Sequence, residues 1–350
     1  MAKFAKEANR AAKALSSSTT DYTDAALIYY QQGLQEEEIA ERTEVTIKMA
    51  NAAGESAQTV SDQMTAVWNN FYDGSKSLEY YADVMTALGA ATASSTDEIS
   101  DGLEKFAATA GTVGLSYEYA TTALATVTAE TRQSADVVGT AFRTLFTRIQ
   151  GLQLGETAED GTTLNKYSAA LDAVGVNIKN ASGELKGMDQ ILAELGDRWG
   201  KLSQDTKIAL AQTVGGARQY TTLISLMDNW DKFQKNLDVT NTAEGTLQEQ
   251  ADIYAESWEA ASERVGTAAE EIYSKLLNDE FFIDILNGFE KFLGGISDVV
   301  DGLGGMKGML LAISTIIMRR YAKEIPGVLS NIGANLGLIT GKAREESQKI

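Results

Sequence analysis

The sequence predicts a mainly α-helical fold, a multi-helix bundle, and three observations carry that reading. There is a single proline, Pro326, among 350 residues. Apolar residues recur at helical spacing through most of the chain. Glycines and serines punctuate these runs at short intervals. Proline interrupts helices because it lacks an N–H and clashes with the preceding turn, so one proline leaves few obligatory breaks. The 31 glycines must supply the punctuation. A hydrophobic fraction of 44% suffices for a core, and a length of about 100–200 residues per domain allows about two domains. At 23% charged residues the chain does not read as a disordered polymer.

Residues 1–55 read as an N-terminal helical segment with alanine-rich faces. Leu27, Ile28 and Leu34 form one apolar patch there, and Gly33 weakens the helix. Residues 56–242 read as a helical core. Val60, Met64, Val67, Trp68 and Phe71 lie on one stripe of a helix that Gly74 ends. Leu78, Tyr81, Met85 and Leu88 follow on a second helix, ended by Gly89. Ser95 and Glu98 have capping-box spacing before Ile99, Leu103 and Phe106, and Gly111 and Gly114 break that helix. Ser116 can cap the next one, and Val138, Phe142, Leu145, Phe146 and Ile149 mark another, closed by Gly151. Short turns between such helices favour antiparallel packing.

After a polar loop from Leu152 to Thr163, the pattern changes. Val176 and Ile178 alternate with small or polar residues, and Asn180-Ala181-Ser182-Gly183 is a turn signal. A small β-hairpin is predicted near 174–187. Helix resumes at Ile191, after Ser203, and again after Gly215-Gly216. Residues 243–280 form a long heptad-like helix: Leu247, Ala251, Tyr254, Trp258, Ala261, Val265, Ala268, Ile272 and Leu276 are spaced by three or four. This seam, Leu247 to Ile272, is a candidate self-association surface, with coiled coil and bundle helix both open.

Residues 281–350 form a hydrophobic, Gly-rich C-terminal segment. Its uncharged runs are Gly308–Met318 and Ile325–Gly341, the second interrupted by Pro326 and three glycines. A bilayer span needs about 20 apolar residues, which neither run supplies cleanly. Arg319, Arg320 and Lys323 lie between the runs, where a membrane-interface segment would want cations. A candidate membrane-active segment and a glycine-rich core hairpin both fit this composition.

Charge and residue types restrict the chemistry. The formal net charge is −19, with 22 basic and 42 acidic residues over 1–280 but 8 and 7 over 281–350. So acidic a chain repels free nucleic acid, and no sequence-specific nucleic-acid partner is expected. Cysteine and histidine are both absent. That excludes disulfides, thiolate or imidazole zinc sites, and histidine-based nucleophile systems. The first residues, with Lys3, Lys6, Arg10 and Lys13 spread along them and no apolar stretch after, do not read as a signal peptide.

Motifs for binding or catalysis fall short. Gly302 to Gly308 (GLGGMKG) misses the dinucleotide fingerprint, and Gly337 to Lys342 misses the P-loop by spacing and by Ala343. Glu156, Glu159 and Asp160 lack the calcium-loop pattern and read as a solvated loop. Arg132, Arg143 and Arg148 form a small basic group that reads as surface salt bridges. Trp68, Trp199, Trp230 and Trp258 fall on apolar stripes and read as core. No catalytic residue, metal site or cofactor is expected, and the chain does not read as an enzyme.

The order of segments is distinctive. It runs TAVWNNFYDG (65–74), ADVMTALGAATASSTDEISDGLEKFA (82–107), TRQSADVVGTAFRTLFTRI (131–149), LNKYSAALDAVGVNIKNASGELKGMDQILAELGDRWGKLS (164–203) and LAQTVGGARQYTTLISLMDNWDKF (210–233). Together these resemble the core region of phage tail tape-measure proteins, over about residues 36–277. The resemblance implies a virion structural protein of the tail lumen. It would set tail length and scaffold tube assembly with the tail tube protein, tail assembly chaperones, distal tail and baseplate proteins, and copies of itself. It also implies a role in DNA passage through the host envelope, with a host-membrane contact on infection. A helix rises 1.5 Å per residue, so 350 residues span at most about 500 Å. Family members are usually longer, and the chain is expected to be a fragment. A membrane-permeabilising helical protein and a helical signalling or adaptor protein are the alternatives.

Overall fold

The computed structural model describes residues 2–150, 165–182, 184 and 186–276. Among the described residues there are fourteen helices and no strand. They are α1 (Ala2–Ala14), α2 (Thr19–Gln31), α3 (Glu36–Ala53), α4 (Ala57–Phe71), α5 (Leu78–Ala91), α6 (Thr96–Thr112) and α7 (Tyr117–Thr131). Then follow α8 (Ala135–Gln150), α9 (Asn165–Ala173), α10 (Met188–Trp199), α11 (Gln204–Asp228), α12 (Trp230–Thr240), α13 (Thr246–Ala255) and α14 (Trp258–Leu276). The described residues divide into two compact units, one of residues 24–254 and one that joins residues 2–23 to residues 255–276.

Serine begins the helices. Ser56, Ser77, Ser116 and Ser203 each accept the N–H three residues ahead, at 3.1–3.3 Å. Each bond satisfies one of the donors that a helix start leaves unpaired. The Glu98 carboxylate accepts the Ser95 N–H at 3.0 Å, as the capping spacing predicts. Glycine ends helices where its left-handed backbone is needed: Gly54 (φ 72°) closes α3, with its N–H on the Ala50 carbonyl.

In the larger unit α7 is the central helix. It packs on α5, α6, α8, α11 and α12, and Ala120 through Thr128 is buried without interruption. A helix buried on every side must be free of charge and small, and alanine and threonine satisfy both demands. Two of its threonines are bonded, Thr121 donating to the Tyr117 carbonyl at 2.7 Å and Thr126 accepting from the Asn236 amide at 3.0 Å, while the buried Thr122 and Thr128 hydroxyls have no partner. Around α7 the core is aromatic. Phe142 and Phe146 stack at 5.4 Å with Phe106 against both. Tyr81 meets Tyr117 edge-on at 4.9 Å.

The closest helix crossings run through α6. A Cβ on Gly139 of α8 would stand 2.4 Å from the Gly102 carbonyl oxygen, and one on Gly111 would stand 2.8 Å from the Asn70 carbonyl of α4. Glycine at both crossings lets α8 and α4 lie on opposite parts of α6. A third glycine, Gly196 of α10, receives the Trp230 ring, which a Cβ would overlap at 2.1 Å.

The smaller unit pairs α1 with α14. Ala8 and Ala12, and on α14 Val265, Ala268 and Ala269, are buried. The Asn9 amide donates to the Thr267 carbonyl at 3.1 Å, the Thr267 hydroxyl to the Ser17 carbonyl at 2.6 Å, and Arg264 to the Ser16 hydroxyl at 2.7 Å.

Several sequence expectations change. The heptad stretch is not one helix: it breaks at Glu256-Ser257, where the Ser257 hydroxyl accepts the Ala260 N–H and starts α14 afresh. A serine able to cap competes with helix continuation. Trp258 is 68% exposed rather than core, because it sits in the first turn after that break. Leu27, 52% exposed, leaves the patch expected of it, while Ile28 and Leu34 pack on the core. Gly89 and Gly111 lie inside their helices as points of close approach, not as ends. Near 174–187, where the hairpin is expected, the described residues hold a turn with an isolated bridge at Lys179, and residues 183 and 185 lie outside them. Asn180 N–H donates to the Glu184 carbonyl at 2.8 Å and Lys186 N–H to the Ile178 carbonyl at 2.9 Å. The Asn180 side chain accepts the Ser182 and Glu184 amides, an Asx-type closure. The C-terminal segment lies outside the described residues.

Gly139→Ala is expected to cost about 1–3 kcal/mol by overpacking, since its Cβ meets backbone that cannot step aside. Gly200→Ala, with open space at its Cβ, is expected to change stability by less than about 0.5 kcal/mol. Urea unfolding of both variants checks the pair.

Candidate interaction surface

The two stretches at residues 131–149 and 210–233 face each other, because α8 packs on α11. Their contact is organised by a break in α11. Gly216 adopts φ 67° and ψ −178°, a backbone that only glycine takes readily, and splits the helix in two. The Arg148 guanidinium, at the end of α8, fills the space over that break and donates to the Val214 carbonyl at 3.2 Å. That carbonyl lies at the kink, and the guanidinium bonds it.

Along the same contact runs a groove of about 290 Å³, lined by Gln133, Asp136, Val137, Thr140, Arg218 and Gln219. Asp136 pairs with Lys105 of α6 at 3.4 Å, and Val137 is 53% exposed. The lining offers one carboxylate, one guanidinium, amides and, with Thr222 beside Thr140, two hydroxyls. Such a set can bind a polar chain or another helix; it pairs no nucleophile with a base. Among the described residues no group of three or more acidic side chains is placed to hold a metal ion.

Three buried or half-buried carboxylates cap helices from far along the chain. Asp83 of α5 accepts the Gly245 and Leu247 N–H groups at 3.1 and 2.8 Å, at the start of α13. Asp189 of α10 accepts the N–H of Ser116, the cap of α7, at 3.1 Å. Glu270 of α14 accepts the Thr19 N–H at 3.2 Å, at the start of α2. Negative charge is favoured at a helix N-terminus. Burial nonetheless pushes the carboxyls of Asp83 and Asp189 above the usual range, against the pull of these bonds. Lys48 sits between Glu44 at 3.0 Å and Glu79 at 3.1 Å. Burial opposes its charge, but the two carboxylates outweigh it and its pKa is raised.

The seam residues fall on both sides of the break. Leu247, Val265 and Ala268 are buried, Ala251, Tyr254 and Ala261 are half-buried, and Trp258 is exposed. The Ile272 side chain is outside the described residues, as are Arg319, Arg320, Lys323, the acidic loop at Glu156 and the glycine runs at Gly302 and Gly337. The three arginines go to separate tasks: Arg132 donates to the Ala93 carbonyl, Arg148 to Val214, and Arg143 lies exposed. Among the described residues no helix is long and apolar enough to cross a membrane. The distant caps had no signal in the sequence, since each joins residues at least 73 positions apart.

The described residues thus form a helical bundle with its buried carboxylates engaged at helix ends and a polar groove on its surface. The chain belongs to the phage-related minor tail protein family, whose model matches residues 6–216, from α1 to the kink in α11. It is accordingly a structural component of a phage tail. No solved structure matches the chain.

Two outcomes are expected. Gly216→Ala should lose about 1–3 kcal/mol from backbone strain, and adding Arg148→Ala should not restore it, since removing the collision leaves the backbone term. Thermal or urea unfolding of the single and double variants decides this. Burial holds the folded pKa of Asp189 above the ordinary 3.8 of an aspartate, so the folded chain holds the proton more tightly. That contribution is full below pH 3.8 and is lost as pH rises through the folded pKa. Wild type should therefore gain stability relative to Asp189→Asn as pH falls from 7 toward 4; a constant or opposite gap would contradict the shift.

Proposed function

We propose that this phage tail protein is a tape-measure protein, which sets tail length and scaffolds assembly of the tail tube. The observation that carries the reading is the order of segments from TAVWNNFYDG to LAQTVGGARQYTTLISL, which resembles tape-measure cores and overlaps the stretch matched by the family model. Two physical features support it. Drawn out end to end, a succession of helices with almost no proline converts residue number into length at about 1.5 Å per residue. A net charge of −19 keeps the chain from adhering to DNA that shares its compartment. The partners on this reading are the tail tube protein, assembly chaperones, distal tail or baseplate proteins, and further copies of the chain in the tail lumen. A role in DNA passage belongs to the same reading.

Mass spectrometry of purified tails is expected to find peptides such as residues 133–143, and to lose them from particles that have ejected their DNA. An in-frame deletion of residues 57–91 is expected to shorten tails by about 50 Å, at 1.5 Å per helical residue. Tails of unchanged length by electron microscopy, with the shortened chain inside them, would reject the ruler and leave a tail component of another kind.

A further inference from the structure

Two aspartate–glycine pairs lie among the described residues, Asp73-Gly74 and Asp101-Gly102, and the fold treats them oppositely. Asp73-Gly74 sits in the turn between α4 and α5, where every residue from Tyr72 to Ser77 is exposed. Gly74 takes φ 84°, the left-handed backbone that suits glycine, and nothing lies within 4 Å of the place of a Cβ there. The Asp73 carboxylate accepts the Ser75 N–H at 2.9 Å, which folds the carboxyl back along the Gly74 peptide. The Gly74 N–H has no hydrogen-bond partner among the described residues. Asp101 and Gly102 stand inside α6 instead, with Gly102 buried against Leu124 and the Asp101 carboxylate held by the Gln63 amide at 2.6 Å.

We propose that Asp73-Gly74 is a site of spontaneous covalent modification, at which the aspartate isomerises to isoaspartate through a cyclic imide. The Gly74 nitrogen attacks the carboxyl carbon of the Asp73 side chain. A C–N bond forms, and the carboxyl hydroxyl leaves with the amide proton as water. Solvent water then opens the imide, and opening at the main-chain carbonyl leaves the chain running through the side chain. Composition and oxidation state end unchanged, and water is the only co-reactant. The attack needs a free nitrogen, a carboxyl beside it and no side chain on the next residue to crowd it. The turn supplies all three. In α6 the helix keeps the Gly102 N–H in its ladder and Gln63 holds the carboxyl away. Hydrogen bonds from the Ser75 hydroxyl and N–H keep the Asp73 carboxyl below the ordinary range. The protonated form that reacts is therefore a minority at neutral pH, and conversion is slow and cumulative. The product main chain is one methylene longer. Trp68 Nε1 donates to the Leu78 carbonyl at 3.1 Å and the Tyr81 hydroxyl to the Phe71 carbonyl at 2.9 Å. These bonds pin α4 and α5 on either side, so the added length is taken up in the exposed turn.

Incubation of the full chain in warm neutral buffer, folded and urea-unfolded side by side, tests this by tryptic mapping with electron-transfer fragmentation. Incubation runs until the unfolded chain has converted at both pairs. In the folded chain the peptide of residues 49–76 is expected to gain an isomer of unchanged mass, with the fragment signature of isoaspartate at Asp73. Asp101, in the peptide of residues 77–105, is expected to lag Asp73 by at least about 100-fold in the folded chain, because attack there waits for a core helix to open. Asp73→Glu, whose longer side chain must close a larger ring, is expected to lose the isomer. No isomer at Asp73 in the folded chain, conversion of Asp101 as fast as that of Asp73 there, or an isomer that persists in Asp73→Glu would each overturn the assignment.

Discussion

The bundle depends on backbone approaching backbone along α6. Gly139 lies on the Gly102 carbonyl and Gly111 on the Asn70 carbonyl, so α8 and α4 are set by main-chain surfaces, not by the ends of flexible side chains. Interiors at crystal-like packing density transmit such constraints. With α8 fixed, Phe142 and Phe146 reach Phe106, and Arg148 arrives at the break in α11. The groove along α8 and α11 depends on that placement.

A second constraint comes from charge. An acidic chain must find places where carboxylates lower the energy instead of repelling one another. Helix N-termini are such places, since their unpaired N–H groups and dipole favour an anion. Ser116 and Asp189 show the economy of the solution: the serine closes α7 from within and the aspartate bonds the serine's own N–H from α10. Asp83 does the same for α13. Each bond ties together elements that lie far apart in the chain.

Much of the helical layout was legible in the sequence, for local reasons. The stripe from Val60 to Phe71 is α4, Ser116 is a cap, helix resumes after Ser203, and Gly215-Gly216 is a break. The errors have local causes too. The seam from Leu247 to Ile272 keeps its spacing across Ser257, and periodicity cannot tell a continuing helix from two in phase. Whether the serine caps depends on where α14 must go to meet α1. The glycines misled in the same way: Gly89 and Gly111 read as helix ends, but they are the points where Thr96 and Asn70 come close.

The sequence by itself determined that the chain is helical, where most helices start, and that histidine and thiol chemistry are absent, because these follow from composition and from interactions within four residues. Its segment order also pointed to a phage tail, as the family match bears out. Only the tertiary structure decided that Asp83, Asp189 and Glu270 serve distant helix ends, that Arg148 fills the kink at Gly216, that Trp258 faces outward, and that Leu247 anchors α13. Each of these joins or separates residues through space, and a carboxylate's partner 162 positions away leaves no trace in local periodicity.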